Sequence, residues 1–121
     1  MGEKRMYVLV VYNISDIQKG IQAAHAIAEY GFEHKFCPKY KDWIENHKTI
    51  IVLNGGTTNS SSQKENIGTL QKIILDLRKL NIDHNVFVEP DLNNAETAVA
   101  FLIDMDEDSH VYGYLRYKNL A

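Results

Sequence analysis

Scarcity excludes several classes of protein before any motif is read. The 121 residues contain one cysteine, Cys37, so no internal disulfide can form, and a lone thiol suits a reducing, cytosolic setting. No partner cysteine or histidine stands at metal-ligand spacing, so Cys37 reads as an ordinary thiol rather than a zinc ligand or a nucleophile. No apolar run is long enough for a membrane span: Met6 to Tyr12 is about seven residues, against the roughly 20 that a bilayer needs. No small-residue cleavage site follows it, and Met6 stands where a myristoylation signal has Ser or Thr, so no targeting segment is read. A basic surplus is also missing. The formal net charge of −3 weighs against a general, sequence-blind nucleic-acid binder, although a local basic patch is compatible with it. The loop GGTTNSSS, from residue 55 to 62, lacks the lysine of a phosphate-binding P-loop. There is no internal repeat and no low-complexity linker. A chain of this length, 45% hydrophobic and 24% charged, is expected to form one globular domain over residues 1–121.

What is present is an alternation of strands and helices. MYVLVVY from Met6, TIIVLNG from Thr49 and TAVAFLI from Thr97 are unbroken apolar runs, the pattern of strands covered on both faces, and HNVFVE from His84 is a fourth candidate. Between them, Ser15 with Gln18 forms a capping-box pattern. Ile17, Ile21, Ala24, Ile27 and Ala28 then recur at helical spacing, and Gly31 is a natural stop. A second capping box at Ser62 and Glu65 opens a helix carrying Ile67, Leu70, Ile74 and Leu77, ended by Asn81. A short helix is expected from Tyr40 to Asn46, after Pro38, anchored by Trp43 and Ile44. Two right-handed crossovers make the first three strands parallel, and the short connection EPDLNNAE makes the fourth antiparallel. The expected fold is an α/β, three-layer α/β/α domain with a mixed four-stranded sheet.

Two places carry groups able to do chemistry. His25 stands in an alanine-rich helix with Gln22 three residues before it, Gln18 seven before it and Glu29 four after it, so it belongs to a polar stripe beside the apolar one. A histidine there is either solvated and idle or a proton-transfer group, and spacing alone favours the idle role. VEPDLNNAET, from Val88, places Glu89, Asp91, Glu96 and Thr97 between two strands. Such a strand-end loop is either a site or a solvated turn, and Pro, Asp and Asn are turn residues. Pro90 restricts Glu89 to extended backbone.

Together these segments resemble the type II peptidyl-tRNA hydrolase family. The strand VLVVYNIS followed by KGIQAAHAIAEY is similar to the family's opening, V-x-V-R-x-D-L and then a helix with A-A-Q-x-x-H-A; Gln22-Ala23-Ala24-His25-Ala26 reproduces its Q-x-x-H-A part. EPDLNNAETAVAFLI resembles a shortened form of the second signature, D-A-G-x-T-x-x-x-P-G-S-x-T-V, and VYGYLR from Val111 is similar to the closing V-T-G-x-L-K. The likeness runs over nearly the whole chain. It implies a cytoplasmic esterase that cleaves the bond between a peptide and the 3′ end of a tRNA, acting on the acceptor end of peptidyl-tRNA. No metal or organic cofactor and no membrane is implied, and homodimers are common in the family. The catalytic residues carried over are His25, Glu89, Asp91 and Thr97; the substrate-binding residues are Gln18, Lys19 and Gln22.

Within that reading His25 transfers the proton, Glu89 or Asp91 orients it or holds the water, and Thr97 with backbone N–H groups faces the oxyanion. Lys19 or Lys4, with the helix start from Ser15, meets terminal phosphates. Lys35, Lys39, Lys41, Arg116 and Lys118 are candidate tRNA contacts, and Tyr112, Tyr114 and Tyr117 are able to stack on bases or pack on the sheet. The chain departs from the family pattern in three respects. Tyr12 and Ile14 or Ser15 replace the arginine and aspartate of the turn, one of two lysines at the helix start is absent, and Glu89 stands for an aspartate. Those departures favour an alternative, a non-catalytic relative that binds RNA or protein. A small-molecule-binding regulatory domain is the third reading, because such sheets host many functions.

Overall fold

The computed structural model describes residues 2–57, 69–116 and 118–121. The expected capping box at Ser62 and Glu65, Ile67 and Tyr117 lie outside the described residues. The chain forms β1 (Lys4–Val11), α1 (Asp16–Glu33), α2 (Pro38–Asp42), β2 (Thr49–Gly56), α3 (Thr69–Lys79), β3 (Asn85–Glu89), β4 (Ala95–Asp104) and α4 (Ser109–Leu115). The result is an α/β domain with a mixed four-stranded sheet, in the order β2-β1-β4-β3. β1 pairs with β2 in parallel, and β4 runs antiparallel to both β1 and β3. The first three strands therefore run in one direction, as expected, with β4 inserted between β1 and β3. Among the described residues no helix is long and apolar enough to cross a membrane.

Strand alternation divides the core in two. Met6, Val8, Val10, Ala98, Ala100 and Leu102 meet Ala23, Ala26 and Tyr30 of α1 on one face. Tyr7, Leu9, Val11, Val99, Phe101 and Ile103 meet Leu70, Ile73, Ile74 and Leu77 of α3 on the other. β1 and β4 are covered on both faces, as their unbroken apolar runs indicate. β2 departs from that expectation because it is an outer strand, and Ile50 stays 50% exposed. The free side of β2 is partly closed by the end of the chain: Asn54 donates its backbone N–H to the Asn119 carbonyl at 2.8 Å, and Ala121 donates to Val52 at 3.1 Å.

The helix ends show which local signals held. Ser15 caps α1 by accepting from the Gln18 N–H at 3.2 Å. The reciprocal half of the capping box does not form, because the Gln18 side chain accepts from Gln22 instead. Gly31 does not stop α1, which continues to Glu33. Its missing Cβ has a different use: a methyl group there would lie 2.5 Å from the Tyr40 hydroxyl, so Gly31 lets Tyr40 close on the helix. Asn81, at φ 57°, does end α3. Ile82 donates to Leu77 at 3.0 Å and Asn81 to Arg78 at 3.2 Å, a Schellman arrangement whose apolar pair, Leu77 and Ile82, is buried in the α3-side core. The short helix begins two residues earlier than expected, at Pro38, and runs into one wide π turn, Trp43–His47. Trp43 anchors it, buried and donating its indole N–H to the Thr49 carbonyl at 2.8 Å, but Ile44 faces solvent. The tyrosine-rich tail is largely the helix α4, with Val111 and Leu115 buried one turn apart.

The largest correction concerns the face of α1. Its buried residues are Gln22, Ala23, Ala26, Tyr30 and Gly31. Of the expected apolar stripe only Ile27 packs against the core, while Ile17, Ile21, Ala24 and Ala28 are exposed.

At the end of the sheet away from the α1 N-terminus, Lys4 is buried between two carboxylates, 2.8 Å from Asp42 and 3.3 Å from Asp104. The hydrogen bond from Lys4, with a second from Asn46, holds the Asp42 carboxyl down at about 2. Burial pushes the Asp104 carboxyl up, but the N–H groups of Asp106 and Glu107 and the Lys4 ammonium outweigh it and hold it below its ordinary value. Both groups release protons more readily folded than unfolded, so their stabilisation is full above the ordinary carboxyl range and drains as pH falls from about 4 towards 2. Removing one partner of a buried ion cluster strands the other, so Lys4→Met is expected to cost about 3 kcal/mol in urea denaturation at neutral pH and to flatten the acid limb of the stability profile.

Candidate functional site

The carboxyl ends of β1, β2 and β3, the start of β4 and the N-terminus of α1 lie at one rim of the sheet, because β4 alone runs against the others. A β-bulge shapes this rim. Phe87 pairs with Ala98 and Val88 with Glu96, which leaves Thr97 as the extra residue of β4. The bulge turns Thr97 onto the α1 face beside Ala98, where its hydroxyl donates to the Gln22 side-chain oxygen at 2.5 Å. Both residues are fully buried. The Gln22 amide N–H then donates to Gln18 at 3.2 Å, carrying the chain of hydrogen bonds out to solvent.

His25 lies one turn further along α1 and is exposed. Its ring stacks on Phe87, with centroids 4.5 Å apart and planes within 6°. Phe87 thus fixes the plane of the imidazole against the sheet while leaving its edge open. Alternation along β3 places Glu89, two residues beyond Phe87, on the same face at the rim. Glu89 has extended backbone, φ −91° and ψ 110°, as the following proline requires. Its carbonyl accepts from Asn94 and closes the turn, in which Asn93 and Asn94 occupy the left-handed region.

The structure brings together some of the sequence candidates and separates others. Gln18, Gln22, Thr97 and His25 form one contiguous group on α1 and the bulge. Within 4.0 Å neither ring nitrogen of His25 meets the carboxylate of Glu89 or Asp91, among the described residues. Asp91 stands exposed on the 3-10 turn Pro90–Leu92. Glu96 leaves the group altogether, because the bulge sends it to the α3 face, where Gln71 reaches it at 3.5 Å. Thr97 is engaged and buried rather than open to a substrate. Lys19 remains at the helix start, paired with Asp16 at 3.4 Å. Lys4 is withdrawn from any phosphate contact by its burial at the opposite end of β1.

The expected basic surface is largely occupied. Lys39 is bound to Asp108 at 2.6 Å, Lys35 lies over the rings of Phe32 and Phe36, and Lys118 lies over Tyr114. Tyr114 donates its hydroxyl to Asp76 at 2.8 Å, and burial with that carboxylate pushes its pKa up, so it packs rather than stacks on a base. The described residues contain no convergent group of three His, Cys, Asp or Glu side chains able to hold a metal. Sequence reasoning missed Phe87; its only signal was an aromatic residue at the helix-facing position of a strand.

No protein-family model matches this chain, and comparison with curated proteins finds no match.

The buried pair and the exposed histidine predict opposite behaviour on substitution. Thr97→Val keeps the shape but removes the donor to a buried glutamine oxygen, and is expected to lower the unfolding free energy by about 1–3 kcal/mol. His25→Ala loses only a surface stack and is expected to stay within about 1 kcal/mol of the native protein. Parallel urea titrations check both.

Proposed function

We propose that the protein is a peptidyl-tRNA hydrolase-like esterase, with the three-layer architecture of the type II family, that acts in the cytoplasm on the ester between a peptide or blocked amino acid and the tRNA 3′ end. The observation that carries this reading is the grouping of Gln18, Gln22, His25 and Thr97 on α1 and the β4 bulge, with Glu89 on the same face of the rim. These are the residues through which the chain resembles that family, and they come from segments about 75 residues apart in sequence.

In this mechanism a water molecule attacks the ester carbonyl carbon. His25, held by Phe87 with its edge free, takes the proton of that water. Glu89 approaches through substrate-bound water and favours the cationic imidazole that results. The C–O bond to the ribose breaks, and the proton passes to the ribose oxygen. The Thr97–Gln22–Gln18 chain acts by positioning: it holds the first half of α1 against the rim and presents the amide of Gln18 to the substrate. In this reading Lys19 and the N-terminal N–H groups of α1 meet terminal phosphates of the acceptor end.

A second reading, a non-catalytic module that binds RNA or a protein, is favoured because, among the described residues, no carboxylate lies within 4.0 Å of a His25 ring nitrogen, and because Lys39 is paired with Asp108. Release of the blocked amino acid from an N-acetylated aminoacyl-tRNA separates the two. The hydrolase reading expects release by the native protein, a loss of at least about 100-fold in His25→Ala and a smaller loss in Glu89→Gln. No release above buffer by folded protein, with tRNA retained in a binding assay, transfers the site to the second reading.

A further inference from the structure

The two outer strands of the sheet are finished differently. The free side of β2 is partly taken by Asn119 and Ala121, whereas among the described residues no further strand pairs with the outer side of β3. Every second residue of such a strand turns its N–H and C=O outward, a template for another strand. The centre of β3, Val86-Phe87-Val88, carries neither the charge nor the proline that commonly blunts an edge. Its two faces also differ. α1 covers the face that carries Phe87. The other face carries Val86, opposite Val99, and Val88, opposite Glu96, and α3 packs over β4, β2 and β1 without covering it. Val88 is accordingly 41% exposed.

Beside this shelf, between α3 and the start of β4, lies a cleft of about 230 Å³ lined by Gln71, Ile74, Leu75, Arg78 and Glu96. Gln71, Leu75 and Arg78, at spacings of four and three, form its helix wall, and Leu75 is 43% exposed. Lys72 and Lys79 border that wall on the solvent side. Among the described residues no carboxylate lies within 4.0 Å of Lys72, Arg78 or Lys79. The acidic residue of α3, Asp76, is turned to the Tyr114 hydroxyl instead. The charges are ordered along β3. Glu96, reached by Gln71, stands opposite Val88, while Arg78 lies near the end of α3, from which the chain turns directly into the Asn85 end of β3.

We propose that β3 and this cleft together receive an extended segment of a partner protein, which adds to the sheet as a fifth strand antiparallel to β3. Its backbone pairs with the outward N–H and C=O groups of β3. Its side chains on the α3 side, two residues apart, are apolar beside Val88 and Leu75 and then acidic beside Arg78 and Lys79. The main chain supplies affinity, and the order of apolar and acidic residues supplies register. A second copy of β3 fits less well, because a two-fold pairing turns Lys72, Arg78 and Lys79 of one copy towards the same cations of the other. The proposal does not rest on the hydrolase reading.

A capped, dye-labelled peptide, Thr-Val-Thr-Val-Thr-Glu-Thr, is the probe, read by fluorescence polarisation. Saturable binding is expected. Arg78→Glu and Leu75→Glu, both at exposed positions and therefore expected to keep the native circular dichroism, are each expected to weaken it at least tenfold. The same peptide N-methylated along its backbone keeps its side chains but loses its donors, and is expected to bind at least tenfold more weakly. Addition of the unmodified probe is expected to slow hydrogen exchange of the outward β3 amides. No binding at millimolar protein, equal binding by Arg78→Glu and the native protein, or undiminished binding of the N-methylated peptide overturns the proposal. So does a dimer of the protein alone that protects the β3 amides, which assigns the edge to a second copy.

Discussion

The orientation of α1 depends on the hydrogen bond from the Thr97 hydroxyl to the Gln22 side chain. A buried glutamine without a partner costs on the order of 1–3 kcal/mol, so the face of α1 that carries Gln22 is buried without penalty only where a partner awaits it. The bulge in β4 supplies the partner by turning one extra residue towards the helix. With Gln22 thus satisfied inside, Ala23, Ala26 and Tyr30 become the residues in contact with the sheet, and the two alanines let the helix lie close. Two further features of this face accompany that orientation. His25 comes to the edge, where Phe87 meets it, and the isoleucines are carried outward.

The two ends of the sheet are built for different purposes. At one end Lys4, Asp42 and Asp104 form a compact ion cluster tied to α2 and the end of β4, with nearby Lys39 bonded to Asp108. Its charges are mutually satisfied, so it locks the fold and offers little to a ligand. At the other end the rim carries an open imidazole edge, a half-buried glutamate and the exposed N-terminus of a long helix, capped by Ser15. Unsatisfied capacity at one end and satisfied charge at the other is the reason the rim, rather than the ion cluster, is the candidate site.

The sequence alone determined the existence and order of the elements as far as β4, the direction of all four strands, the cap at Ser15, the stop at Asn81 and the anchoring role of Trp43, but not the helix α4 in the tail. Each of these is a local property: an apolar run, a side-chain oxygen near free N–H groups, a residue tolerant of the left-handed region, or a large ring with no other place to go. It also singled out Gln22, His25, Glu89 and Thr97 as residues of interest. Only the tertiary structure decided which side of α1 is buried. Helical periodicity offers two apolar stripes here, and choosing between them required the partner of Gln22, a bulge residue 75 positions away. Dependence on another element also hid the stack of His25 on Phe87 and the role of Gly31, which reads locally as a helix stop but serves as a space for the Tyr40 side chain. Local signals state what a segment is able to form; where its side chains point is settled by the elements that pack against it.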